Sequence, residues 1–132
     1  VKLELRGVSK RFGGVRALGD VSFVVREKTI FGLIGPNGAG KTTVFNLVTG
    51  VYAPDAGTIR FGEHDLSRLS PARIARVGIA RTFQNIRLFG QLTVTENLLV
   101  AGEAHRADDA PARARALLER FDLAKHARDP AT

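Results

Sequence analysis

Cysteine is absent from the 132 residues, so the chain carries no disulfide framework and no thiolate metal site, which fits a cytosolic protein. Methionine is absent as well, even at the first position, which leaves the native N-terminus open. No apolar run approaches the ~20 residues of a membrane-spanning helix, and residues 1–6 alternate like a strand instead of forming a signal peptide. Any membrane role must therefore come through a partner. The three histidines, His64, His105 and His126, lack paired metal-ligand spacing and read as surface residues. There is no internal repeat and no low-complexity tract.

Acidic residues are in short supply: 13 against 20 lysines and arginines, a formal charge of +7. Clustered cations would indicate a nucleic-acid surface. Here the arginines at 6, 16, 26, 60, 81, 106 and 120 are scattered among acids and aliphatics, with neither a basic tail nor interleaved aromatics. They read as solvated charges, and no nucleic-acid partner is expected. With 44% hydrophobic residues, the chain has the length and composition of one ordinary globular domain.

The most informative stretch is Gly35-Pro36-Asn37-Gly38-Ala39-Gly40-Lys41-Thr42-Thr43, a match to the phosphate-binding P-loop. Glycines let the backbone wrap until successive N–H groups converge on one concavity sized for a phosphate. Lys41 reaches the outer phosphates as a point charge, the Thr42 hydroxyl is a Mg²⁺ ligand, and the following helix turns its N-terminal dipole toward the anion. Average residue usage would produce Gly-x4-Gly-Lys-Ser/Thr in about half a percent of chains this long. Context adds to the match: residues 30–34 read as a buried strand before the loop and residues 44–49 as a helix after it, stopped by Gly50. The chain is expected to bind a nucleotide.

Residues 2–8 and 21–25 read as strands of an antiparallel pair, joined through a turn-prone stretch containing Phe12-Gly13-Gly14. Past the first helix, Pro54-Asp55-Ala56-Gly57 is a turn and residues 58–61 a short strand. Ser70-Pro71 opens a helix that Gly78 closes, and residues 79–83 read as a returning strand. Thr93-Val94-Thr95-Glu96 is a capping box for a helix reaching about Gly102. Residues 104–110 form a polar connector, and residues 111–121 an amphipathic helix whose Leu117, Leu118 and Phe121 either join the core or face a partner.

These residues resemble the ATP-binding subunits of ABC transporters, and within them the ATPases of branched-chain amino-acid importers. The likeness rests on Val8-Ser9-Lys10-Arg11-Phe12-Gly13-Gly14, the P-loop nonapeptide, Arg81-Thr82-Phe83-Gln84, and Leu88-Phe89 leading to the segment 92–99. The last two blocks are shared in large part with urea-importer ATPases. The resemblance implies an α/β fold: a P-loop NTPase of ABC type with an antiparallel β subdomain, part of a parallel-sheet core and the start of the helical subdomain. Residues 1–92 would belong to the nucleotide-binding core and residues 93–132 to the helical subdomain.

The same resemblance implies roles. Phe12 would stack on adenine with Ala17 beside it, unless Phe12 is a plain core aromatic. Gln84 would ligate Mg²⁺ or orient the attacking water, unless it is a solvent-facing loop residue. Leu88 and Phe89 would anchor the transmembrane permease subunits, unless they tuck back into the helical subdomain. ATP and Mg²⁺ are the implied cofactors, a second ATPase subunit in a homo- or heterodimer the implied partner, and the cytoplasmic face of the membrane, reached through the permease, the implied location.

Three features of the family are missing from the sequence. No apolar strand ends in Asp-Glu, since Asp108-Asp109 sits in a polar connector; no Ser-Gly-Gly-Gln-like signature follows; and no switch histidine follows a strand. The expectation is the N-terminal part of an ABC ATPase, truncated before the signature, binding nucleotide but unable to hydrolyse ATP alone. Two other readings stay open: a nucleotide-binding module without catalysis, and another P-loop enzyme such as a small-molecule kinase. The kinase fits poorly with the antiparallel β pair bearing Phe12 and with the loop after Gln84.

Overall fold

The computed structural model describes residues 2–83, 88–104 and 108–131. They form two compact units, residues 1–80 and 81–132.

The first unit is built on a four-stranded antiparallel sheet in the order β2-β1-β3-β4, with β1 Leu3–Phe12, β2 Val15–Val25, β3 Ala56–Phe61 and β4 His64–Asp65. A two-residue turn at Gly13-Gly14 joins β1 to β2, so Phe12 pairs with Val15 at the tip of the hairpin. Register shifts between Leu5 and Val8 and again between Val8 and Arg11 make β1 bulged. Bulges strengthen the twist, and the twisted ribbon wraps one face around the core. Leu5, Val8, Leu18 and Ile59 project from that face and are buried against Val44, Leu47 and Val48 of α1 (Lys41–Val48), with Leu66 and with Ile74 of α2 (Pro71–Val77).

Both helices end as their glycines dictate. Gly50 takes a φ of 72° after α1; its N–H donates to the Leu47 carbonyl and the Val51 N–H to that of Asn46. Gly78 takes a φ of 105° after α2, with matching bonds from Gly78 to Ala75 and from Ile79 to Ile74. These pairs are Schellman closures, which require a left-handed residue that glycine adopts without strain.

Two expected strands are not formed. Residues 30–34 and 79–83 have no strand assignment, and Ile30 and Ile34 are fully exposed. A strand exists only through its ladder, and among the described residues neither segment belongs to one. Phe31 finds a local substitute, stacking on Phe23 of β2 with ring centroids 5.2 Å apart. The first β pair, by contrast, is longer than the sequence implied, since β2 starts at Val15 rather than at 21.

The second unit contains α3 (Val94–Ala104), α4 (Ala110–Arg120) and a 3-10 turn at Ala124–His126. The capping box at the start of α3 is complete. Glu96 accepts from the Thr93 N–H at 2.7 Å, and the Thr93 hydroxyl accepts from the Glu96 N–H at 3.2 Å. The tail beyond α4 returns to this end of α3, where the Val94 N–H donates to the Asp129 carbonyl and the Thr95 hydroxyl to that of Ala127. Ala114 and Leu118 of α4 are buried. No helix among the described residues is long and apolar enough to cross a membrane.

Candidate functional site

The loop from Gly35 to Gly40 lies between the unpaired segment and α1, and its shape follows from its glycines. Gly38 and Gly40 hold φ values of 83° and 89°, in the left-handed region that favours glycine. Gly40 is the N-cap of α1 and is also pressed against the sheet: a Cβ there would lie 2.7 Å from the Ala17 carbonyl oxygen and 2.6 Å from Leu18 Cδ2. Position 40 thus seats the loop on β2, with Ala17 directly behind it. Within the loop the Ala39 N–H donates to the Pro36 carbonyl at 3.2 Å.

The α1 helix makes its first bond from the Val44 N–H to the Gly40 carbonyl. The amides of Lys41, Thr42 and Thr43 precede that bond, so they are the donors an N-terminus offers to an anion. Thr42 is exposed, with its hydroxyl in the first turn. The Lys41 amine folds back and donates to the carbonyls of Gly35 and Pro36, at 2.5 and 2.7 Å. These residues fit a phosphate chain with its divalent cation: a concave run of backbone, one cation inside it and a threonine hydroxyl at its edge.

Phe12 stands at the hairpin tip, 39% exposed, with its ring edge-on to Tyr52 at a centroid distance of 5.0 Å and an angle of 69°. Asp55 locks this corner. Its carboxylate accepts from the Lys10 amine and from the Arg11 N–H, both at 2.7 Å, and its own N–H donates to the Ser9 carbonyl at 3.0 Å. The Lys10 hydrogen bond, followed by that of Arg11, holds the Asp55 carboxyl below its usual range. Neither Tyr52 nor Asp55 was expected at this corner. A charge pair 45 residues apart leaves no local pattern in a sequence.

Gln84 lies outside the described residues, as do His105 and residues 85–87. Leu88 and Phe89 are more than half exposed and line an open apolar groove of about 800 Å³ within the second unit, together with Leu98, Leu117 and Phe121. Asn97 fixes the segment they belong to: its side chain accepts from the Phe89 N–H at 2.9 Å and donates to the Phe89 carbonyl at 3.1 Å. His64 and His126 are at the surface, and His126 pairs with Asp129 at 2.7 Å. Among the described residues no group of three or more histidines and carboxylates converges on a metal site.

Comparison with known proteins agrees with this architecture. The ABC transporter family profile matches residues 18–132. The chain is 56% identical over 99 residues to the high-affinity branched-chain amino acid transport ATP-binding protein LivG of Salmonella typhimurium, covering 75% of this chain and 39% of that protein. It is 52% identical over 103 residues to BraF of Pseudomonas aeruginosa, another high-affinity branched-chain amino acid transport ATP-binding protein, covering 78% and 40%. The chain thus spans about two fifths of the length of these curated relatives. Among solved structures, the ATP-binding subunit of an ABC transporter superposes with a TM-score of 0.86 at 30% identity, over 98% of this chain and 54% of that one. A cassette in its ADP conformation superposes with a TM-score of 0.78 at 31% identity, over 98% and 57%. With its P-loop seated on the sheet and a profile match over most of its length, the chain belongs to the ABC transporter family.

Proposed function

We propose that this chain forms the nucleotide-binding part of an ATP-binding subunit that powers the import of branched-chain amino acids. The observation that carries the reading is the glycine-shaped loop at the head of α1, with the Lys41 amine inside it. In this reading Gly35, Pro36, Asn37, Gly38, Ala39, Gly40, Lys41, Thr42 and Thr43 wrap the phosphates of ATP, and Phe12, with Ala17 behind the loop, receives the adenine. Thr42 and Gln84 hold Mg²⁺, which supplies charge neutralisation between the phosphates, and Gln84 orients water. The solute class rests on the names of the relatives at 52–56% identity.

The division of labour follows the order of the chain. Residues 1–92 serve the nucleotide and residues 93–132 open the helical subdomain, where Leu88 and Phe89, at its border, meet the permease. Location on the cytoplasmic face and pairing with a second ATPase subunit belong to the same reading. The 132 residues are expected to bind ATP without turning it over, because no acidic pair follows an apolar strand within them.

Calorimetric titration with Mg-ATP, with AMP as the control lacking outer phosphates, tests the site. Binding of ATP in clear preference to AMP is the expected result. Equal affinity for the two would remove the phosphate-wrapping role from the loop.

A further inference from the structure

The loop that follows α1 has no role in the reading above, yet it reaches the ring that reading assigns to adenine. Tyr52 comes directly after the Schellman closure of α1, and its N–H lies 3.4 Å from the Asn46 carbonyl that already receives the Val51 N–H. The backbone at Tyr52 is therefore fixed to the far end of the helix whose N-terminus forms the phosphate site. Its ring crosses to the β1–β2 hairpin and meets Phe12 edge-on at 5.0 Å. Three residues later, Asp55 ties the same loop to Lys10 and to the backbone of Arg11, next to Phe12. Phe12 sits at a hairpin tip with a diglycine turn beside it, a place where a side chain is otherwise poorly constrained.

We propose that Tyr52 is a positioning residue for the nucleotide base: its ring holds Phe12 in the orientation that stacks on adenine and links that ring to α1, so base and phosphate sites keep a fixed separation. The proposal rests on the reading that Phe12 stacks on the base. An edge-on neighbour is suited to this task, since it fixes the ring plane without lying parallel to it and filling the place of a flat base. Phe12 keeps 39% of its surface exposed with Tyr52 in place, and that surface is what remains for the ligand. The Lys10 amine, 5.6 Å from the centroid of Phe12, is at the outer limit of cation–π range and is tethered by Asp55.

The test uses the full-length protein that carries these residues and compares its dissociation constants for ATP and for inorganic tripolyphosphate, which has the phosphates and no base. Phe12→Ala is expected to weaken ATP and spare tripolyphosphate. Tyr52→Leu should lower ATP affinity about two- to tenfold, the range of an aromatic pair, and leave tripolyphosphate unchanged. Tyr52→Phe, which keeps the ring, should restore ATP binding, and Tyr52→Leu added to Phe12→Ala should cost nothing further. Loss of ATP and tripolyphosphate alike in Tyr52→Leu would make the tyrosine a general structural support and overturn the proposal. So would an unchanged ATP affinity in Tyr52→Leu where Phe12→Ala is impaired, or additive losses in the double variant. An unchanged preference for ATP in Phe12→Ala would instead bring down base stacking itself, and the role of Tyr52 with it.

Discussion

Under the proposed function, two adjacent residues govern the phosphate site in different ways. Lys41 contributes charge, so Lys41→Ala should weaken ATP about 10- to 100-fold, the worth of a charge-assisted hydrogen bond, with little change in melting temperature. An unaltered affinity in the same titration would remove Lys41 from the site. Gly40 contributes room. Any side chain there faces the Ala17 carbonyl at 2.7 Å while its backbone holds a φ of 89°. Gly40→Ala should cost about 1–3 kcal/mol of stability and at least tenfold in ATP affinity, because relief of the clash must lift the loop off β2. Thermal melts and titrations of the two variants separate these cases: only the glycine change should move both readouts. Both positions belong to one local pattern, Gly-x4-Gly-Lys-Thr, whose spacing can be read from the sequence, and the left-handed φ at Gly40 agrees with it; their phosphate roles remain part of the proposed reading. Tyr52 was not, since its partner Phe12 is 40 residues away and nothing in either neighbourhood announces the pairing.

The elements show where local information ends. The start of α3 could be read from four letters, and its chemistry makes it sensitive to acid. The Glu96 carboxyl is held below its ordinary value of 4.5 by the Thr93 N–H, and next by the Thr93 hydroxyl. A depressed folded-state pKa means that the stabilisation is fully present above the unfolded value and disappears as pH falls through the folded one. Helix α3 should therefore fray below about pH 4.5, seen as a loss of amide protection at its first turn, and Glu96→Gln should flatten that profile. Thr93→Ala, which removes the N-cap hydroxyl, should cost about 1 kcal/mol. The strands were read less well for two physical reasons. In β2 the residues from Val15 to Asp20 face the bulged stretch of β1, and Asp20 itself takes a φ of 54°, so alternation fails where pairing does not. In residues 30–34 the apolar run is genuine, but strand formation depends on a neighbour that composition cannot supply.

At the scale of the molecule, well-packed and unpaired regions lie close together. Leu5, Val8 and Ile59 are almost fully buried, and the sheet around them should give the slowest amide exchange in the first unit. Residues 30–34 should exchange at rates near those of an unfolded peptide, and Ile30→Lys with Ile34→Lys should improve solubility without lowering the melting temperature. Strong protection of that segment in a monomer would contradict the fold described here. The P-loop hangs between these extremes, since its outgoing end is the buried helix α1 and its incoming end is the unpaired segment. Such a site is anchored on one side by a helix and on the other by side chains alone, Phe31 on Phe23 and Leu33 on the core, without a ladder. By linkage, whatever paired with residues 30–34 and favoured the loop's binding shape would raise nucleotide affinity in the proposed reading, and bound nucleotide would strengthen that pairing by the same factor. Under the proposed function, pairing of residues 30–34 and loading of the nucleotide would be two halves of one equilibrium, and a strand that never touched the phosphates would act as their positive effector.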